Sequence, residues 1–362
     1  MKTVTMQDVA EAAGVSKATV SNAFNRPELL MPALRARVEK AVRDLGYRGP
    51  DPRGRMLSSG RMNALGVVLP GAAGISNALE NASVRRFLAG AASLCEERGI
   101  ALSIISGADG SRTCGARSAL VDGFVILGAE QAGSLLPVLS RGLPAVVVDH
   151  DAGPEVSSVR AEDRAGGRLA ARHLLELGHR RLAIVAPLYD DRPSVRHDSV
   201  CAERILGERF RYTTSARLSG IADAVHAAGL SMDDVPIIEA SGFTREQALA
   251  RGGLALLFDR APAATGIICL SGHLGLAVLE EARGRGIDVP AALSVISFGV
   301  GAEEEERSGP PLSVARTPAF EKGRAATRIV LEGGPVRHLA LPFELAVRRS
   351  TARPAPPPLP AA

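Results

Sequence analysis

From Ser16 to Asn25 the chain reads Ser-Lys-Ala-Thr-Val-Ser-Asn-Ala-Phe-Asn, and its residue types suit contact with base pairs. Wound as a helix at about 100° per residue, Lys17, Ala18, Ser21, Asn22 and Asn25 share one side, and Thr19, Val20, Ala23 and Phe24 share the other. The first side is short, polar and unobstructed; the second is a core face. Lys and Asn hydrogen-bond base edges and Ala packs on a thymine methyl, so the polar side fits an element lying in a DNA major groove. Taken alone, the pattern also fits an ordinary helical hairpin with a solvated face.

The flanking residues supply what such an element needs to be held in place. Thr5 is placed to cap a preceding helix, and Asp8 three positions on completes an approximate capping box. Val9, Ala10 and Ala13 give that helix an apolar side, Gly14 relieves the turn, and Ser16 caps the second helix. Pro32 opens a third helix at its favoured first turn, Leu34, Val38, Ala41, Val42 and Leu45 keep helical spacing, and Gly46 ends it. Arg35, Arg37, Lys40 and Arg43 are expected to be solvated charges, at most touching phosphate.

Val4-Thr5, Asp8-Val9-Ala10, Ala13-Gly14-Val15-Ser16, Thr19-Val20-Ser21, Asn25, Arg37-Val38 and Leu45-Gly46-Tyr47 together resemble the head of the lactose-repressor (LacI/GalR) family of transcription regulators. The resemblance is specific over the first sixty residues and looser through the body. The DNA-facing set expected on this reading is Thr5, Ser16, Lys17, Ala18, Thr19, Ser21, Asn22 and Asn25. The resemblance further implies that residues 49–63 are a hinge that becomes helical only on operator DNA, with Arg55 and Leu57 at the minor groove. About two helical turns cannot stand alone in water, so folding there is linked to binding. Gly54 stands where the family usually has Ala, which weakens such a helix.

Composition bounds the remaining possibilities. Of 362 residues, 46% are hydrophobic and 23% charged, with no Trp, as in a water-soluble globular protein with several domains. Residues 1–64 carry 11 Lys/Arg against 6 Asp/Glu, whereas the remainder carries 32 against 33, so the basic excess sits on the small segment that would meet phosphates. Cys95, Cys114, Cys201 and Cys269 have no paired metal spacing and read as reduced thiols of a cytoplasmic protein. A polar N-terminus and the lack of any long apolar run point away from a signal peptide or membrane span.

From Leu65 onward, short apolar runs alternate with amphipathic stretches. Strands are expected at 65–69, 101–106, 123–127, 145–148, 182–186, 236–239, 266–270 and 294–298. Helices are expected near 83–98, 131–141, 164–177, 216–228, 244–260 and 273–285. This pattern predicts an α/β fold with parallel sheets covered by helices, in two lobes because eight strands exceed one comfortable sheet. The resemblance implies a periplasmic-binding-protein-like core over 64–350 behind an all-α helix-turn-helix head at 1–48. Its lobes would comprise 65–162 with 298–322 and 163–297 with 323–350. Residues 351–362 read as a disordered Pro/Ala tail.

In such folds ligands bind outside the carboxyl ends of the strands, here between the lobes. The resemblance places Asp163, Thr213 and Arg217 at the effector, Arg being suited by its rigid, permanently charged fork. Asp163 also suits a helix N-cap. Gly272 and Gly299 stand where the family usually has cleft-facing Asp, and a Gly-Ala-Ala-Gly-Ile-Ser-Asn insertion follows Pro70. These departures point to an effector other than a simple sugar, less hydroxylated or anionic, or to no effector at all. No nucleophile elbow, phosphate loop or metal-ligand spacing occurs, so neither catalysis, cofactor nor metal is expected. The function implied is that of a homodimeric repressor reading a pseudo-palindromic operator under effector control. The competing reading is a cytosolic small-molecule-binding protein with a vestigial head.

Overall fold

The structure, a computed structural model, describes residues 4–50, 60–70, 74–107, 115–128, 138–150, 153–188, 192–198, 212–242, 244–250, 252–258, 264–299 and 306–355. The chain divides into two compact units, Met1–Met62 and Asn63–Ala362.

The first unit holds α1 (Met6–Ala13), α2 (Lys17–Asn25) and α3 (Pro32–Leu45). Val9, Ala10, Ala13, Val20, Val38 and Ala41 form its core, drawn from all three helices. The capping box is present in full: the Thr5 hydroxyl accepts from the Asp8 N–H, and Asp8 Oδ2 accepts from the Thr5 N–H at 2.7 Å. Gly14 adopts φ 60°, the left-handed turn conformation that ends α1 and re-aims the chain into α2. Arg37 is exposed, as expected, but it is not a free charge. Its guanidinium donates to the Ala13 carbonyl at 2.6 Å, so α3 clamps the turn that aims α2.

The second unit is built on two sheets. The first contains β1 (Ala64–Pro70), β2 (Ala101–Gly107), β3 (Gly123–Leu127), β4 (Ala145–Val148), β5 (Ser157–Ala161) and, from far along the chain, β12 (His338–Leu341), in the order β12-β5-β4-β3-β1-β2. The second contains β6 (Leu182–Leu188), β7 (Val195–His197), β8 (Ile237–Ser241), β9 (Gly266–Cys269), β10 (Ser294–Phe298), β11 (Ser313–Arg316) and β13 (Glu344–Ala346), in the order β13-β11-β10-β9-β6-β8-β7. All pairings in the first sheet are parallel, and in the second only β7 and β13 run antiparallel. Five successive strands of each lobe therefore repeat one order, β2-β1-β3-β4-β5 and β8-β6-β9-β10-β11.

Five longer helices cover these sheets: α4 (Ala82–Arg98), α5 (Asp163–Glu176), α6 (Tyr212–Ala227), α7 (Gly272–Gly284) and α8 (Ala319–Glu332). The helix expected over 244–260 is two short pieces, Arg245–Ala250 and Ala255–Phe258, and most of the one expected over 131–141 lies outside the described residues. In each lobe two helices cross closely at glycines. A Cβ at Gly323 of α8 would overlap the Phe87 carbonyl of α4, and one at Gly220 of α6 would overlap the Arg164 carbonyl of α5. Backbone cannot yield as a flexible side chain can. Gly220→Ala is therefore expected to push α5 and α6 apart and destabilise the body by about 1–3 kcal/mol, read as a lower urea midpoint at unchanged slope.

The lobe boundaries differ from those expected. β11 pairs in parallel with β10, so Ser313–Arg316 stay in the second lobe. α8 packs on α4, and β12 pairs with β5, so 319–341 belong to the first. The described chain passes between lobes at 161–163, 316–319 and 341–344. The beginning of the tail is also ordered by contacts. The Ala352 N–H donates to Ser294 Oγ at 3.0 Å, its carbonyl accepts from the same hydroxyl at 3.1 Å, and Thr351 Oγ1 lies 2.9 Å from His173 Nε2. Thr351 and Ala352 are thus held at the amino-terminal end of the second sheet, while 356–362 lie outside the described residues.

Candidate nucleic-acid interface and interlobe cleft

On α2, Val20 is fully buried, while Lys17, Ala18 and Asn25 are exposed and Ser21 and Asn22 half-buried. The division of faces follows the expected one except at Phe24, which is 38% exposed and meets Tyr47 edge-on at 5.8 Å. The side chains differ in how free they are to meet DNA. The Thr5 hydroxyl is committed to its capping box, and Ser16 Oγ accepts the Thr19 N–H at 3.1 Å and lies 2.9 Å from Thr19 Oγ1. Asn25 Nδ2 donates to Ser21 Oγ at 3.2 Å, which fixes the amide on the outward face. Lys17, Ala18 and Asn22 stand between these groups on the open face. Lys40 pairs with Asp44 at 2.6 Å in an exposed i,i+4 bridge, a weak tether that phosphate can replace. Arg55 and Leu57 lie outside the described residues, as does Gly54.

In the second unit the carboxyl ends of the strands carry the polar groups. Asp163 is the first residue of α5 and not its N-cap; that place falls to Glu162, whose side chain makes no capping bond. Asp163 is buried, its Oδ1 accepts from Arg217 Nε at 2.8 Å, and its Oδ2 has no partner. Burial raises the pKa of this carboxyl; Arg217 opposes the rise, Asp149 adds to it and Lys322 opposes it. Arg217 also donates to the Leu270 carbonyl at 2.7 Å, and its guanidinium carbon lies 4.3 Å from the Phe298 ring centre and 5.7 Å from that of Phe343. Thr213 is half-buried one turn earlier on the same side of α6.

Two residues that no motif singled out belong to the same place. Asp149 follows β4 with φ 56°, and its Oδ2 accepts from Lys322 Nζ of α8. Lys322 is almost fully buried, one of the buried residues of α8 with Ala319, Gly323, Ala326, Thr327, Ile329 and Val330. Gly299 is closely walled. A Cβ there would lie 3.0 Å from Thr317 Oγ1, close enough that Thr317 would have to give by a few tenths of an ångström, and at ordinary contact distance, 3.5 Å, from Ser83 Oγ. Residues 74–80, within the stretch expected at the cleft mouth, form a short helix. Among the described residues no group of three or more His, Cys, Asp or Glu could hold a metal ion, and no helix is long and apolar enough to cross a membrane.

His273 lies at the start of α7, with Nδ1 2.8 Å from Ser271 Oγ and a buried Nε2 without a partner. Burial pushes its pKa down to about 4, so the ring is neutral in the folded protein. An unfolded His binds its proton near pH 6.5, so folding opposes protonation and stability falls as pH drops from there towards 4. The expected loss is about 3 kcal/mol by pH 4. His273→Gln should flatten this part of the pH–stability profile relative to wild type; parallel profiles for the two proteins would contradict it.

Comparison with known proteins agrees with both units. Residues 5–49 match the profile described as bacterial regulatory proteins, lacI family, and residues 171–351 match the periplasmic binding protein-like domain. A helix-turn-helix-type transcriptional regulator of Mycobacterium tuberculosis is 35% identical over 337 residues, covering 91% of this chain and 90% of its own. Among solved structures, a complex of the transcriptional regulator CelR with cellobiose aligns with TM-score 0.65 at 25% identity, over 96% of this chain and 99% of that one. The lac repressor dimer bound to operator and an anti-inducer aligns in fold with TM-score 0.76 at 20% identity, over 97% of this chain and 100% of that one.

Proposed function

Because this chain belongs to the lacI family of bacterial regulatory proteins, and is thereby a DNA-binding, effector-controlled transcriptional regulator, we propose that it represses transcription as a homodimer on a pseudo-palindromic operator. The observation that carries the reading is the open face of α2. The hydroxyls of Thr5 and Ser16 are held in the caps of α1 and α2, while Lys17, Ala18 and Asn22 remain outward with groups that read base edges. Two such heads related by a twofold axis would read half-sites about one helical turn apart. Arg55 and Leu57 would then order on the DNA, with Leu57 as an apolar wedge in the minor groove between the half-sites.

The cleft around Asp163 and Arg217 is the effector site on this reading, at the carboxyl ends of strands from both lobes. A ligand there acts by holding the lobes in one arrangement, and it shifts operator affinity only as far as its affinities for the two arrangements differ. Family members are transcriptional regulators, and the roles assigned to these residues are binding roles throughout. The decisive experiment is selection of genomic fragments by the purified full-length protein. It should enrich a sequence with twofold symmetry, and enrichment of none would return the molecule to the competing reading of a ligand-binding protein with an idle head.

A further inference from the structure

Lysine is scarce in this chain and unevenly placed. Of 43 Lys and Arg only four are Lys, at positions 2, 17, 40 and 322, so three of the four fall within the first forty residues. The body meets its need for cations almost wholly with guanidinium groups. A guanidinium keeps its proton, whereas an ammonium can give one up and leave a nucleophilic amine, which is why Lys is the residue that acyl groups modify. Amine-directed chemistry therefore finds its targets on the head.

The four lysines are not equivalent. Lys2 lies outside the described residues. Lys322 is 4% exposed and paired with Asp149. Lys40 is exposed but bridged to Asp44, so reaction at its nitrogen must break an ion pair. Lys17 is exposed and has no ion-pair partner among the described residues; it is the first residue of α2, whose first turn holds no acidic group. The partial positive charge of a helix N-terminus opposes a cation at that place, so Lys17 does not serve the stability of α2. Loss of its charge spares the fold. On the open face beside Ala18 and Asn22, the same loss removes a charged donor to base edges.

We propose that Lys17 is an acylation site through which an activated acyl donor, an acyl phosphate or an acyl thioester, turns off operator binding. The inference rests on the DNA-binding reading of α2. In the transfer the lone pair of the unprotonated Nζ attacks the acyl carbonyl carbon, and a C–N amide bond forms. The C–O bond to phosphate or the C–S bond to the thiol breaks, and the leaving group takes that electron pair. The proton lost from nitrogen passes to the solvent. The product carries no charge and one N–H where the ammonium had three, so it neither attracts phosphate nor serves base acceptors as the ammonium does.

The test is treatment of the full-length protein with acetyl phosphate and, separately, with acetyl-coenzyme A, followed by peptide mass spectrometry and operator gel shifts. Whichever arm modifies Lys17 identifies the class of donor. Lys17 should be acetylated faster than Lys40, Lys322 should stay unmodified in the folded protein, and bound operator should slow the reaction at Lys17. In the arm that modifies Lys17, operator affinity should fall at least about tenfold with no fall in melting temperature. Lys17→Arg, whatever its own starting affinity, should lose no more on treatment, whereas Lys40→Arg should respond as wild type does. This pair also separates Lys17 from Lys2 and the terminal amine, whose reaction would continue in Lys17→Arg. No modification of Lys17 by either donor, a loss of binding that persists in Lys17→Arg, or a melting temperature that falls with affinity would each overturn the proposal. The untreated protein separates the two readings. Failure to bind operator before treatment counts against the reading of α2, and intact binding that treatment leaves unchanged counts against acylation alone.

Discussion

Arg217→Ala should be the most damaging single substitution in the cleft, lowering the stability of the body by about 3–5 kcal/mol. The reason is what it leaves behind. Asp163 sits almost fully buried with one oxygen already without a partner, and Arg217 Nε is the donor on the other. Removing Arg217 strands a buried carboxylate and also takes away the group lying against Phe298 and bonded to the Leu270 carbonyl. The pH dependence identifies the mechanism. Burial already raises the Asp163 pKa against the pull of Arg217, so losing Arg217 raises it further. A carboxyl whose folded pKa lies above its unfolded value favours folding below the unfolded value and loses that contribution as pH rises through the folded one. The deficit of Arg217→Ala relative to wild type should therefore be larger at pH 8 than at pH 5. Arg217→Met with Asp163→Asn, which removes both charges, should recover most of the loss. Urea denaturation of the three proteins at both pH values decides it, and a deficit independent of pH would mean that lost packing, not a stranded charge, dominates. The response to effector should vanish in Arg217→Ala, since the arrangement of Asp163 goes with it.

How much of this was legible in sequence depends on whether the signal was local. The head was readable because each part has a short-range cause: a cap three residues from its partner, a glycine at the turn, an apolar stripe at helical spacing. The eight apolar strands were readable because two-sided burial selects continuous Val, Ile and Leu, as in Gly-Phe-Val-Ile-Leu of β3, buried throughout. β5, β7, β11, β12 and β13 were not. Sequences such as Ser-Val-Ala-Arg and Glu-Leu-Ala are short and mixed, and sheet neighbours rather than hydrophobic pattern make them strands. The lobe boundaries failed for a related reason. The crossing at 316–319 has no change of composition to mark it, and Lys322 interrupts the apolar stripe of α8. Asp163 and Arg217 were reachable through their motif. The Asp149–Lys322 pair was not, because it joins residues 173 apart in the chain and neither stands in a recognisable pattern.

Asn22→Ala should reduce affinity for the best operator by about 1–3 kcal/mol and relax base preference at one position of each half-site. The geometry separates Asn22 from its neighbours. Ser21 and Asn25 are bonded to each other, and Ser16 and Thr19 close the helix start. Asn22 stands half-buried beside Lys17 and Ala18, on the opposite side of α2 from Val20, so its truncation should leave the packing of Val20 in place. The head should therefore keep its melting temperature, which distinguishes lost recognition from lost folding. Lys40→Ala provides the contrast. Its ammonium is exposed and tethered to Asp44, so on DNA it should meet phosphate, which carries no sequence information. That variant should weaken operator and random DNA alike and reduce the salt dependence of binding by about one charge. Competition binding with single-base operator variants, at two salt concentrations, measures both effects together. Equal loss of specific and random binding by Asn22→Ala would remove Asn22 from the base-reading face and leave Lys17 and Ala18 to account for sequence preference.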